Sequence, residues 1–279
     1  MRRPQAGAEF GNLCRSLWTL YAPKHTMNII VTRTVQEMPV VPALDYPADA
    51  VGRPLLRQAR PVWALASSLR RQLGGAPLTI EHIVDATACL RINGRHVSVS
   101  WECAHAVHDD HGCPVLGVCE TDPDDPDAAF ISINGPALGT RADLVLSTAA
   151  HELGHVVFDV PGALAQGPQR RFRSRTGDVE ALYRGRDLCE RRANEFMGAL
   201  LAPPFELHRD LLRRARDERL RLTRARHHGR PGCPVVSADN DADALAGVTA
   251  VLAEAFGVSS GFMTVRLQRY GLIASRGEG

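Results

Sequence analysis

Several regions of the chain repeat their apolar residues with helical spacing, and between the first two lies a region of period two. Residues 53–73 carry Leu56, Val62, Leu65, Leu69 and Leu73 on one face, and Gly74-Gly75 supplies a stop. From Leu78 to Glu102 the pattern shifts toward strands, with Val97, Val99 and Trp101 alternating with Ser98 and Ser100 after an Asn93-Gly94 turn. Residues 112–120 read as another strand, and Phe130, Ile131 and Ile133 as the last, beyond an acidic, proline-punctuated loop over 122–127. Helical spacing returns over 143–158, where Leu144, Thr148, His151 and His155 share a stripe and Pro161-Gly162 follows. Leu188, Ala193, Phe196 and Leu200 mark a second helix ending at Pro203-Pro204. Leu245, Val248, Leu252 and Phe256 mark a third, closed by Gly257, and Ser259 or Ser260 caps one more that stops at Gly271. A few strands followed by helices predict an α+β protein.

These patterns divide the 279 residues into three expected parts. Residues 1–50 hold no sustained period and read as a loosely ordered leader, with Met27 or Met38 as alternative starts. Residues 51–205 form the main domain. Residues 206–279 comprise a basic helix, a linker and a C-terminal helical unit whose helix–tight turn–helix form resembles a helix-turn-helix.

Chemistry concentrates in the helix over 143–158, where His151-Glu152-Leu153-Gly154-His155 spells H-E-x-x-H. Residues four apart stack on one helix face, so His151 and His155 can bind one Zn²⁺ through ring nitrogens. Glu152 lies beside the first ligand, within reach of a water next to the metal, as a general base must be. Gly154, a poor helix former, leaves room for another segment to approach. The helix over 188–201 can cross the first and offer a carboxylate, Glu190 or Glu195, completing a His₂Glu set with one position for water.

His-Glu-Leu-Gly-His followed by Glu-x-x-Ala-Asn-x-Phe and Leu-Leu-Ala-Pro resembles the ImmA/IrrE-type metallopeptidases, a gluzincin-like group. Ala129-Phe130-Ile131-Ser132-Ile133-Asn134 looks like that family's strand ahead of the motif helix, and residues 253–267 look like its closing helical unit. The resemblance spans roughly residues 50–275 and is strongest at the two metal-binding helices. It implies a zincin-like domain, a small mixed sheet plus the helices that carry the motif, with one zinc ion per chain. It further implies Glu190 as third ligand and Asn194 as a ligand's hydrogen-bonding support. The implied activity is cleavage of a regulatory protein, such as a helix-turn-helix repressor, that controls stress-response or mobile-element genes. A strand edge near the motif helix would hold substrate backbone in extended form.

Composition narrows the alternatives. A hydrophobic share of 44% is enough for a core, and a formal charge of +2 gives no global push toward nucleic acid. Seven scattered cysteines form no dense framework, and no apolar run suits a signal peptide or a membrane span, so a cytoplasmic protein is expected. Cys103, His105, His108, His111, Cys113 and Cys119 have the side-chain types of a second, structural zinc site without its paired spacing. Tyr183, in the long connection over 162–187, is a candidate oxyanion donor or an ordinary packing residue.

Residues 206–230 hold nine arginines against four acids, an excess of five positive charges. They suit nucleic acid, an acidic partner or plain solvation. Arg266 and Arg269 are the base-reading candidates of the last helix. The leading expectation is a zinc endopeptidase using Glu152 for acid–base work. The alternative is a regulatory DNA- or partner-binding protein, possibly a toxin–antitoxin component, in which the zinc site is structural. A His₂Glu site also accommodates manganese or iron.

Overall fold

A computed structural model describes residues 41–75, 77–109, 111–121, 124, 125, 127–166, 173–176, 188–227 and 230–274, with the side chains of 173–176, 226, 227, 230 and 231 left out. Helices and strands both contribute, as an α+β protein requires, and residues 40–279 form one compact unit.

The sheet has six strands in the order β1-β2-β3-β5-β4-β6. These are β1 (Ala43–Leu44), β2 (Cys89–Ile92), β3 (Arg95–Glu102), β4 (Gly117–Thr121), β5 (Ala128–Ile133) and β6 (Arg173–Thr176). Asn93 and Gly94, both at positive φ, make the tight turn that pairs β2 with β3 in antiparallel register. Along β3 the expected alternation holds: Val97, Val99 and Trp101 are buried, while His96, Ser98 and Ser100 face solvent. β3 and β5 run parallel, and β4 lies antiparallel to β5. β1, which lies before the expected leader boundary at residue 50, pairs parallel with β2 at one edge of the sheet.

One other expectation fails for a local reason. Residues 80–87 are helical, not extended: Thr79 caps the His82 amide, and Ile80, Ile83, Val84 and Thr87 have helical spacing. β6, from the connection after the motif helix, pairs along the outer side of β4, so the sheet edge on this side is β6.

Seven further helices accompany α2 (Ile80–Thr87). With α9 (Ser260–Arg269), the last helix among the described residues, as an eighth, they are α1 (Ala59–Gln72), a single turn α3 (Gly135–Leu138), α4 (Ala142–Phe158), α5 (Val160–Ala165), α6 (Leu188–Leu201), α7 (Pro204–Asp217) and α8 (Ala242–Phe256). Helix α4 is the centre of the molecule. From Leu146 to Phe158 every residue is buried, so its sides all meet protein rather than presenting one apolar stripe. Pro161 does not end it; Pro161 lies in the first turn of α5, where its missing N–H costs nothing.

Helix α6 crosses α4 closely at Gly154. A Cβ on Gly154 would stand 2.9 Å from the Cα of Ala193 and 3.2 Å from its carbonyl oxygen. Hydrogen there is what lets the two backbones approach. At the far end of α6, the buried Arg70 of α1 donates to the carbonyl oxygens of Leu200 and Leu201 at 2.7 and 3.3 Å. A cation at a helix C-terminus satisfies orphan carbonyls and complements the dipole.

The C-terminal third is continuous with this body. After α7, the expected linker is instead a two-stranded ribbon, β7 (Leu222–His227) with β8 (Arg230–Val236), and buried Val236 bonds the backbone of Leu272 and Ala274. Leu252, Phe256, Phe262, Met263 and Leu267 from α8 and α9 join the same core as Phe158 and Phe196. The expected division at residue 205/206 therefore marks no break in the packing. Among the described residues no single helix is long and apolar enough to cross a membrane; α8 and α9 together pass on length and composition only, and meet at 104°.

Candidate metal centre

The H-E-x-x-H spacing does what helix geometry requires. His151 and His155 bring their Nε2 atoms to 3.2 Å from each other. Glu190, in the first turn of α6, faces both, with Oε2 3.3 Å from His151 and Oε1 3.3 Å from His155. Tetrahedral ligands held about 2.0–2.1 Å from one ion stand roughly 3.3 Å apart, so these separations suit side chains that share one metal ion. Among the described residues this is the one group of three His, Cys, Asp or Glu residues able to share an ion.

The far sides of the two rings explain why they want a cation. The Nδ1–H of His151 donates to Asn194 Oδ1 at 3.2 Å, and that of His155 to the Asp159 carboxylate at 2.8 Å. A carboxylate only accepts, so His155 must present a proton to Asp159 and, when neutral, turns a bare lone pair inward at Nε2. With both rings neutral, two ring lone pairs and a carboxylate would converge on one point, an arrangement that repels itself unless a proton or a metal ion lies within it. The Asn194 amide nitrogen is buried without a hydrogen-bond partner, the cost of aiming its oxygen at His151.

Electrostatics register the same demand. Burial works most strongly against a charged His155, yet the hydrogen bonds with Asp159 and Glu190 and the fields of Glu152 and Asp159 outweigh it, and its pKa is pushed up to about 10. Burial likewise opposes a charged Glu190, but the hydrogen bonds from His151 and His155 hold its carboxyl well below the usual range. A proton and a metal ion compete for the same acceptors.

Glu152 is 0% exposed, and the start of β4 lies against it. A Cβ on Gly117 would stand 3.0 Å from Glu152 Oε1 and closer still to Thr148, so only glycine lets the strand lie here. The competing carboxylate, Glu195, faces elsewhere. It accepts from Trp63 Nε1 of α1 at 2.7 Å and from Arg269 Nε of α9 at 2.5 Å, tying three helices together. Geometry therefore separates the two acids of α6, Glu190 at the histidines and Glu195 in the scaffold.

Neither Asp159 nor Arg192 is expected at the centre from the motif. Asp159 Oδ2 holds His155 while its Oδ1 accepts from Arg192 Nη2 at 3.1 Å, and both side chains are buried. The signal available was an aspartate four residues after His155, one helical turn on. Tyr183 lies outside the described residues. The Cys/His stretch forms no second centre among them: Cys119 is buried in β4, Cys113 is exposed, and His105 pairs with Glu102 at 3.1 Å.

The base-reading candidates are also engaged. Arg266 is 2% exposed with its guanidinium 5.4 Å from the Phe262 ring centroid, and Arg269 holds Glu195. Arg266 thus faces the core, while Arg269 stays half exposed as it binds Glu195.

A buried His₂Glu centre able to hold a metal ion is thus the class of site this fold builds. Comparison with models of known protein families finds no match for the chain, and comparison with curated proteins finds none either.

Proposed function

We propose that the chain is a zinc-dependent endopeptidase of zincin-like architecture, with His151, His155 and Glu190 holding the ion and Glu152 as general base. The observation that carries this reading is the convergence of three acceptors at 3.2 to 3.3 Å beside a fully buried glutamate. Structural zinc sites use four protein ligands, whereas three with room for a water belong to catalytic ones, and three are present among the described residues. The donor set, two imidazoles and one carboxylate, suits zinc, with manganese or iron as weaker fits.

When bound, such an ion polarises a scissile carbonyl and makes a neighbouring water more acidic. Glu152 accepts the proton that the attacking water loses and delivers it to the departing amine nitrogen. Burial beneath β4 keeps its carboxylate out of bulk water. Asn194 and Asp159 hold the imidazoles with their Nε2 atoms inward. The resemblance to ImmA/IrrE-type peptidases supports a regulatory protein, such as a helix-turn-helix repressor, as substrate. The DNA-binding alternative loses support at α9, where Arg266 and Arg269 make internal contacts.

The test is metal content and cleavage of a proteome-derived peptide library, measured together. Wild type is expected to carry about one zinc per chain, lost in His155→Ala. Glu152→Gln is expected to keep the zinc and lose about 10²- to 10⁴-fold in cleavage rate. A zinc-loaded wild type that cleaves no better than Glu152→Gln would overturn the reading.

A further inference from the structure

Helix α6 contributes more to the centre than a ligand. Two residues beyond Glu190 it carries Arg192, whose guanidinium reaches across to α4 and binds Asp159 at 3.1 Å. Asp159 divides its carboxylate between this cation and His155, one oxygen to each. Arg192 is itself held in place: Nη1 lies 3.4 Å from the Pro54 carbonyl oxygen, and the guanidinium lies 6.0 Å from the Phe158 ring centroid. With both side chains less than a tenth exposed, Asp159 has a partner on each side and little freedom to rotate.

A buried ion pair is a poor source of stability, because removing two charges from water offsets most of their attraction. Its geometry here points to another role. An imidazole can carry its neutral proton on either nitrogen, and only the Nδ1–H form leaves Nε2 free to bind a cation. A carboxylate fixed against Nδ1 selects that form and fixes the ring plane.

We propose that Asp159 and Arg192 are positioning residues for the metal centre: Arg192 orients Asp159, and Asp159 sets the tautomer and direction of His155. The inference rests on the zinc-site reading of His151, His155 and Glu190. It makes α6 responsible for both sides of His155, with Glu190 at its inner nitrogen and Arg192 behind its outer one. Docking of α6 on α4 and metal affinity are then one coupled property.

The experiment measures zinc dissociation constants on the full chain by competition with a chromogenic chelator, with circular dichroism as the check on folding. Loss of an outer support of a metal-bound histidine typically weakens binding about 10- to 100-fold. Asp159→Ala is expected to fall in that range. Asp159→Asn keeps an acceptor oxygen and is expected to lose less, and Arg192→Met, which acts only through Asp159, less than Asp159→Ala. Combining Asp159→Ala with Arg192→Met is expected to cost no more than Asp159→Ala alone, since the second change removes a group with nothing left to orient.

Nitrogen NMR of the zinc-loaded protein adds a readout that a purely structural role would not move. The His155 Nδ1–H signal is expected to be protected in wild type and exchange-broadened in Asp159→Ala. A folded Asp159→Ala with unchanged zinc affinity and an unchanged His155 signal would overturn the proposal. Should that variant fail to fold, Asp159→Asn and Arg192→Met, which nearly preserve volume, decide it: wild-type affinity in both overturns it. Wild type that takes up no zinc would overturn the underlying site reading, a separate result from zinc uptake that is indifferent to Asp159.

Discussion

At the scale of single residues, the two acids of α6 show how far a spacing rule reaches. Glu190 and Glu195 are both polar positions on one helix, and the chain alone leaves either as a ligand. In the fold Glu190 faces two imidazoles, and Glu195 binds Trp63 and Arg269. The two are therefore expected to fail differently. Glu190→Gln should lose zinc, and its thermal melt should no longer respond to added zinc. Glu195→Gln should keep zinc and lose about 1–3 kcal/mol, the usual cost of weakening a buried hydrogen bond to a charged group. Metal analysis beside thermal melts separates them, and zinc loss in Glu195→Gln alone would reverse the assignment. Asp159 is the residue that a motif cannot find, because its role depends on Arg192 arriving from a helix over thirty positions later.

At the scale of elements, the central fact is the closeness of α4 and α6. The sequence marks both helices and singles out Gly154 as an anomaly within one of them. The reason for the anomaly is a distance, 2.9 Å from the Cα of Ala193 to where a Cβ would lie. Since backbone rather than a flexible side chain fills that space, Gly154→Ala is expected to push α6 away. The cost should be about 1–3 kcal/mol, as in other overpacked cores, even though alanine is the better helix former. Glu190 moves with α6, so zinc affinity should fall as well. A variant with both stability and affinity intact would show that the crossing is looser than the backbone geometry demands. Elements where pattern and structure part company follow the same logic. Residues 80–87 contain enough β-branched residues to read as strand, yet Thr79 caps them as helix. The ribbon of β7 and β8 carries arginines and prolines that read as linker, and becomes ordered because Val235 and Val236 are buried beside the C-terminus.

At the scale of the whole molecule, the centre couples pH to stability. His155 has a folded pKa of about 10, above its ordinary 6.5, so it stabilises the chelator-treated protein fully below 6.5 and progressively less as pH rises through about 10. Glu190, shifted the other way, adds stability above the usual carboxylate range that is lost as pH falls. The chelator-treated protein is thus expected to lose stability between pH 6.5 and 10, on the order of a few kcal/mol, while zinc saturation flattens that decline. Thermal melts across this range, with and without zinc, check the sign; greater stability of the chelated protein at pH 10 than at pH 7 would contradict it. The same core reaches from β1 to α9, so the C-terminal helices are part of the body they pack on.

What the sequence determined by itself is local. Helix periodicity, the cap at Ser259, the Asn93-Gly94 turn and the alternation in β3 all act within a few residues, as does the i, i+4 pairing of His151 with His155. Such features are legible because backbone hydrogen bonding and side-chain direction repeat with a fixed period. Tertiary structure alone decided which glutamate faces the histidines, that Asp159 and Arg192 support one of them, that β6 covers the edge of β4, and that Arg266 is buried. Each of those depends on surfaces far apart in the chain meeting at van der Waals distance. Packing density and desolvation, which no short-range period encodes, select among them.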